Sequence, residues 1–267
     1  MKTFLLYHVP AFPMGVGFVG LAIAAAIGGL LLVRRSVALS TLEAHNDVAG
    51  FIIAVIGVVY AVLLAFVVIS VWEQFTKAKE VADSEAVHAL AVDRTVRGFG
   101  ESARPVQEAL GRYAQSVVDD EWKTMARHHR QSARTDARLT AVFDALQGVR
   151  VDSPQKAALY DDTIRRVNDL AEDRRGRLLD SKGELPAVLW VVLLAGGIIT
   201  VGFTFFFGIS NVWAQILMVT ALAATISLSL FLVLALDLPF TGDLSVRPHA
   251  MQEALREFPH LPVATRP

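Results

Sequence analysis

Four stretches of this chain run past twenty residues without a charged side chain: Pro13–Val33, Val48–Trp72, Pro186–Phe207 and Val212–Leu236. A helix rises about 1.5 Å per residue, so each reaches roughly 30 Å, the thickness of a bilayer's hydrocarbon core. The pattern predicts an integral membrane protein, whose function is to be sought in or at a membrane.

Charge is segregated along the chain. Of the 51 Asp, Glu, Lys and Arg side chains, 39 lie between Glu73 and Glu184. The expected fold is all-α, with four transmembrane helices in a 2+2 arrangement and a helical cytosolic domain inserted between the second and third. The boundaries follow from the charge pattern: spans at about 13–33 and 48–72 within residues 1–72, a soluble domain over 73–185, spans at about 186–207 and 212–236, and a C-terminal tail over 237–267. A net charge of −1 lacks the basic surplus of a nucleic-acid-binding face. With no cysteine in the chain, disulfides, thiolate metal sites and cysteine nucleophiles are excluded.

Met1-Lys2 followed by the small residues Ala22–Ala26 also fits a cleaved signal peptide. The run from Thr3 to Val33 without Asp, Glu, Lys or Arg is much longer than a signal core, and Arg34-Arg35 follows it like a stop-transfer flank, so a retained span is expected. An even number of spans puts the insert and both termini on one side. Lys2, Lys77, Lys79, Arg174, Arg175, Arg177, Lys182 and Arg247 lie on that side, against Arg34 and Arg35 on the other. The positive-inside rule assigns the first side to the cytoplasm of a multi-pass cell-membrane protein.

Pro10 and Pro13 are expected to stop the first helix from starting earlier, and Gly15, Gly17, Gly20, Gly28 and Gly29 to let its backbone approach a neighbour closely. Neither glycine nor proline falls between Gly57 and Gly98, so the second helix should leave the bilayer unbroken for some 45 to 50 residues, until Gly98-Phe99-Gly100. Helical spacing resumes over Ser102–Gln131 and Asp136–Leu146. Ser153-Pro154 signals a last helix to about Ser181, with serine as cap and proline in the first turn. Leu185-Pro186 marks entry into the third span, where Gly196, Gly197 and Gly202 suggest close packing and Phe203, Phe205, Phe206 and Phe207 form an aromatic end.

Residues that carry chemistry are scarce. The spans hold no Asp, Glu, Lys, Arg or His, against the habit of intramembrane proteases, proton pumps and ion-coupled transporters. The adjacent His128 and His129 point about 100° apart on a helix and lack a neighbouring carboxylate at ligand spacing, so with His88 they read as a solvated surface, and Asp119-Asp120-Glu121 and Asp161-Asp162 read as exposed helix faces. No phosphate loop or catalytic constellation stands out, so an enzyme is not expected.

Tyr60-Ala-Val-Leu-Leu-Ala-Phe66 continuing through Val71-Trp72-Glu73 to Glu85-Ala86, Leu185-Pro186 through Trp190 with Phe205-Phe206-Phe207-Gly208, and Asp237-Leu-Pro239-Phe240-Thr-Gly242-Asp243-Leu-Ser-Val246 together resemble the bestrophin-like family of four-span membrane proteins. That resemblance covers nearly the whole chain, with about 100–180 carried by pattern only. Its namesakes, the bestrophins, are pentameric anion channels whose pore is lined by the second span. The resemblance therefore implies a homo-oligomer in a lipid bilayer, chloride or a similar inorganic anion as the conducted species, and a pore stripe through Ile53, Ile56, Gly57, Tyr60, Leu63, Leu64, Val67 and Ser70. The same stripe equally suits a helix buried in its own bundle. Asp237, Pro239, Phe240, Gly242 and Asp243 stand where bestrophins carry a calcium-binding acidic cluster. Only two carboxylates are present here, against the six to eight oxygens calcium takes, so the segment reads either as a calcium site or as a turn packed on Phe240.

Two functions remain open: a homo-oligomeric anion channel, and a membrane-anchored scaffold or signalling adaptor whose helical cytosolic domain binds a partner.

Overall fold

In a computed structural model of the chain, residues 11–43, 46–183 and 185–258 are described. Met1, Lys2, Pro10, Glu184 and the tail from Pro259 lie outside the described residues. Within them the ordered structure is helical throughout: α1 (Ala11–Ser36), α2 (Leu39–Glu43), α3 (Asn46–Val96), a 3₁₀ turn (Arg97–Ala103), α4 (Arg104–Ser116), a π turn (Val117–Glu121), α5 (Trp122–His128), α6 (Ala133–Gln147), α7 (Pro154–Asp180), α8 (Ala187–Phe203), α9 (Val212–Leu236) and α10 (His249–Glu257). The chain forms two compact units, one from the described parts of 8–73 and 184–237, the other from those of 74–183 and 238–267.

Among the described residues, four helices are long and apolar enough to cross a membrane: α1, the first part of α3, α8 and α9. As the absence of glycine and proline predicts, α3 is continuous for 51 residues. It ends where Gly100 takes φ 63°, a backbone setting that costs glycine nothing. Pro13 does not stop α1, which begins at Ala11. A proline this early removes only an N–H that has no intrahelical partner.

In the apolar unit, α1 and α9 pack side by side, and rings settle on glycines. Phe231 covers Gly15, Phe205 covers Gly29 and Tyr60 covers Gly196, where added Cβ atoms would come within 2.9, 2.6 and 2.5 Å of the rings. Gly17, Gly20, Gly28 and Gly202 face open space instead, so only part of the glycine pattern serves close contact. Ser and Thr hydroxyls turn back on their own helix, as Thr200 Oγ1 to Gly196 O at 2.7 Å and Ser227 Oγ to Ala223 O at 2.6 Å, which satisfies these hydroxyls within an apolar layer.

One set of connections in this unit is laced by side chains. Asn46 donates to Gly208 O and accepts from Gly208 N, both at 2.9 Å. Gln215 Nε2 donates to Phe207 O at 2.8 Å, and Arg34 donates to Ile209 O at 2.9 Å and to Gln215 Oε1. Asn211 caps α9 by accepting from Trp213 N and Ala214 N. The Arg34–Asp47 connection, read from sequence as a plain loop, contains α2.

The polar unit has an apolar core fed by every helix in it, including Ala78, Ala82, Ala86 and Ala89 of α3, Leu110 of α4, Leu146 of α6 and Leu170 of α7. Ser153 caps α7, accepting from Lys156 N, and Ser132 caps α6, accepting from Thr135 N. His129, expected on a solvated surface, ends α5 at φ 51° with Nδ1 2.6 Å from Ser181 O. The tail supplies a helix, α10, whose Met251, Ala254 and Leu255 are buried.

At Gly208 a Cβ would overlap the backbone nitrogen of Glu43 and lie 2.8 Å from its Cα. Backbone cannot rotate away as a side chain can, so Gly208→Ala should destabilise the detergent-purified protein by about 1–3 kcal/mol, read as a lower thermal midpoint, whereas Gly202→Ala should leave it unchanged.

Candidate functional site

Part of the stripe expected along the second span meets the chain's own helices, while Gly57 faces open space. Tyr60 and Val67 are buried, and Ile53, Ile56, Gly57, Leu63, Leu64 and Ser70 are half-buried. Tyr60 Oη donates to Leu193 O at 3.1 Å while its ring lies over Gly196 and Gly197. Open instead is the other side of α3, with Ile52, Val55, Val59, Val62, Phe66 and Ile69; Val62 keeps 52% of its surface exposed and Phe66 69%. Because α3 is apolar all round over 48–72, periodicity could not tell the packed side from the open one.

The 237–243 segment divides between the two units. Asp237 is buried and accepts from Leu185 N at 3.1 Å, which fixes the entry to α8. Past it, Phe240 sits edge-on against Trp122, ring centroids 5.7 Å apart, and Thr241 Oγ1 donates to Ala126 O at 3.0 Å. Gly242 has φ 90°, and Val246 N donates to Pro239 O at 2.7 Å, which closes a turn. Asp243 is exposed. The donors do not converge: among the described residues no group of three or more His, Asp or Glu side chains could hold a metal ion.

The largest concentration of charge is buried in the polar unit. Arg177 of α7, wholly buried, gives Nε to Glu85 Oε2 of α3 at 2.5 Å, and Nη2 to Glu85 Oε1 at 3.1 Å and to Glu121 Oε2 at 2.9 Å. Arg174, one turn earlier, gives Nη2 to Glu121 Oε1 at 2.7 Å, Nε to Glu121 Oε2 at 3.0 Å and Nη1 to Asp136 Oδ1 at 2.9 Å. Tyr113 Oη donates to Glu85 Oε1 at 2.5 Å. Trp122 stacks under the Arg177 guanidinium, 4.9 Å from ring centroid to Cζ, and donates its indole N–H to Val246 O at 3.1 Å. Toward the surface of the same α3–α7 contact, His88 Nδ1 lies 2.6 Å from Asp173 Oδ2.

Glu121, read from sequence as part of an exposed acidic face, is fully buried. It lies in the π turn two residues after exposed Asp119, and residues two apart on a helix point roughly 200° apart, which puts the two carboxylates on opposite sides. Burial opposes its charge, but the hydrogen bonds and charges of Arg174 and Arg177 prevail and hold its carboxyl below the usual glutamate range. Burial pushes the Tyr113 hydroxyl up, and the neighbouring Glu85 charge raises it further. Arg174 and Arg177, counted among the cytoplasmic flanking charges, are spent in this network rather than free to meet a membrane surface.

The profile of the Bestrophin-like domain matches residues 20–251. The chain belongs to the bestrophin-like family. Two crystal structures of variants of a bacterial bestrophin homologue from Klebsiella pneumoniae share its fold: one at TM-score 0.72 and 15% identity, covering 94% of this chain and 98% of that one, another at 0.71 and 13%, covering 90% and 98%. A further structure of the Klebsiella homologue, solved by Zn-SAD phasing, matches at 0.67 and 14%, covering 89% and 96%. No curated protein matches. Family and apolar helices together make this a bestrophin-like membrane protein.

Two measurements probe the network of this bestrophin-like chain. Arg177→Ala leaves Glu85 and half of Glu121 uncompensated and should cost about 3–5 kcal/mol, seen as loss of thermal stability in detergent. Glu121 has a depressed folded pKa, so its stabilisation is complete above the unfolded glutamate value of about 4.3 and is lost as pH falls through the lower folded value. Acid titration followed by circular dichroism should show that loss, and Glu121→Gln should flatten it.

Proposed function

We propose that this protein is a subunit of a homo-oligomeric anion channel, with four spans, the polar unit and both termini in the cytoplasm, and α3 lining the pore. The observation that carries the proposal is the open side of α3: a charge-free row through Val55, Val59, Val62, Phe66 and Ile69 that the chain leaves uncovered along a helix unbroken for 51 residues. Tyr60 and Val67, turned to their own helices, are assigned to packing, and the lining passes to the opposite side.

An oligomer supplies the second wall that a single chain lacks. Copies arranged around an axis, five by analogy with bestrophins, would bring the valine and phenylalanine side chains into an apolar constriction of the kind that gates by dewetting. Such a passage needs no buried charge. Fold likeness at this identity does not carry function, so the reading rests on this geometry and the family.

Chloride flux through liposomes containing verified oligomer tests it. We expect flux in the parent protein, an increase of severalfold in Phe66→Ala, and a changed halide preference in Val62→Thr. Leu64→Ala, on the packed side, should lower stability while leaving halide preference alone. Correctly inserted oligomer that passes no chloride would overturn the channel and leave the scaffold reading.

A further inference from the structure

Where α3 crosses the core of the polar unit, its buried side from 78 to 89 is mostly alanine. Ala78, Ala82, Ala86 and Ala89 follow one another at helical spacing, and Val81 Cγ1 would stand 3.1 Å from a Cβ on Gly176 of α7. Alanine ridges slide past one another at little cost, because they offer few knobs to lodge in holes. On that face Glu85 is the long buried side chain, and it meets Arg177 through two hydrogen bonds in a fork that tolerates one arrangement. Moving α3 by one residue, a rise of about 1.5 Å with a turn of roughly 100°, would break both bonds and strand two charges away from water.

We propose that the Glu85–Arg177–Glu121 network is a register pin: it fixes the rotation and axial position of α3 against α7. Glu121 anchors the other side of the same guanidinium, and Glu121 is itself held by Arg174 and by Ser132 N at 3.2 Å. The pin stands on the polar unit alone and does not rest on the channel reading.

A chain free of cysteine suits the test. Val81→Cys/Gly176→Cys should oxidise readily, given the separation there, and Ser84→Cys/Gly176→Cys, one turn away, should not. Both pairs are then placed in full-length Glu85→Gln/Arg177→Met, which removes one charge of each sign, retains an acceptor for Tyr113 and leaves Glu121 with Arg174. We expect oxidation of the first pair to slow at least fivefold and the second to become detectable. An unchanged, exclusive first pair would overturn the pin. Should that variant not fold, Glu85→Asp keeps the charge and shortens the reach by one methylene, and the same slowing is expected or the pin is refuted. Chloride flux in the same samples separates the two ideas: altered cross-linking with no flux in any protein, the parent included, refutes the channel and leaves the pin standing.

Discussion

Polar atoms withdrawn from water must find partners within the protein, and that rule governs both units of this chain. In the apolar unit the backbone meets it by being helical, and hydroxyls such as those of Thr200, Ser227 and Ser229 meet it by bonding carbonyls three or four residues back. Polar side chains that reach further cluster at the connections, where Arg34, Asn46 and Gln215 bind the exposed carbonyls of 207–209. In the polar unit the same rule admits whole charges, because each buried guanidinium meets carboxylates through several of its hydrogens.

Charge burial of this kind is not an economical way to hold helices together. Withdrawing each ion from water costs several kcal/mol, and apolar side chains of equal volume often do as well or better. What the ionic arrangement supplies is direction. Glu85, Glu121 and Asp136 come from α3, the π turn and α6, and two arginines one turn apart on α7 receive them all. Trp122 joins this centre to the segment after α9, since it touches Arg177 with its face, Phe240 with an edge contact and Val246 O with its N–H. The motif that resembles a calcium site in sequence thus contributes a buttress for an arginine.

How much of this was legible beforehand depends on the range of the interaction. Local signals carried their information faithfully: the gap free of glycine and proline gave the length of α3, Ser153-Pro154 gave the start of α7, and Gly98-Phe99-Gly100 gave the break. Signals that depend on distant partners did not. Asp119 and Glu121 stand two residues apart in one acidic run, yet two arginines more than fifty residues away meet one while the other stays in water. The open side of α3 was hidden for another reason. Amphipathic contrast identifies a buried face only when the other face is polar, and between Val48 and Trp72 neither is.

That absence of contrast narrows what the open side of α3 can meet. In a bilayer, lipid tails solvate an apolar helix as well as another helix does, so burying Phe66 or Val62 against a second copy yields no hydrophobic gain. Association must then come from packing and from contacts outside the hydrocarbon layer. A wide aqueous pore is equally disfavoured along this row, because water gains no hydrogen bonds from valine, phenylalanine and isoleucine. The row is compatible with lipid, with a packed neighbour, or with a passage narrow enough to dry and wet in turn. Of the three, only the last requires copies of α3 to meet around an axis.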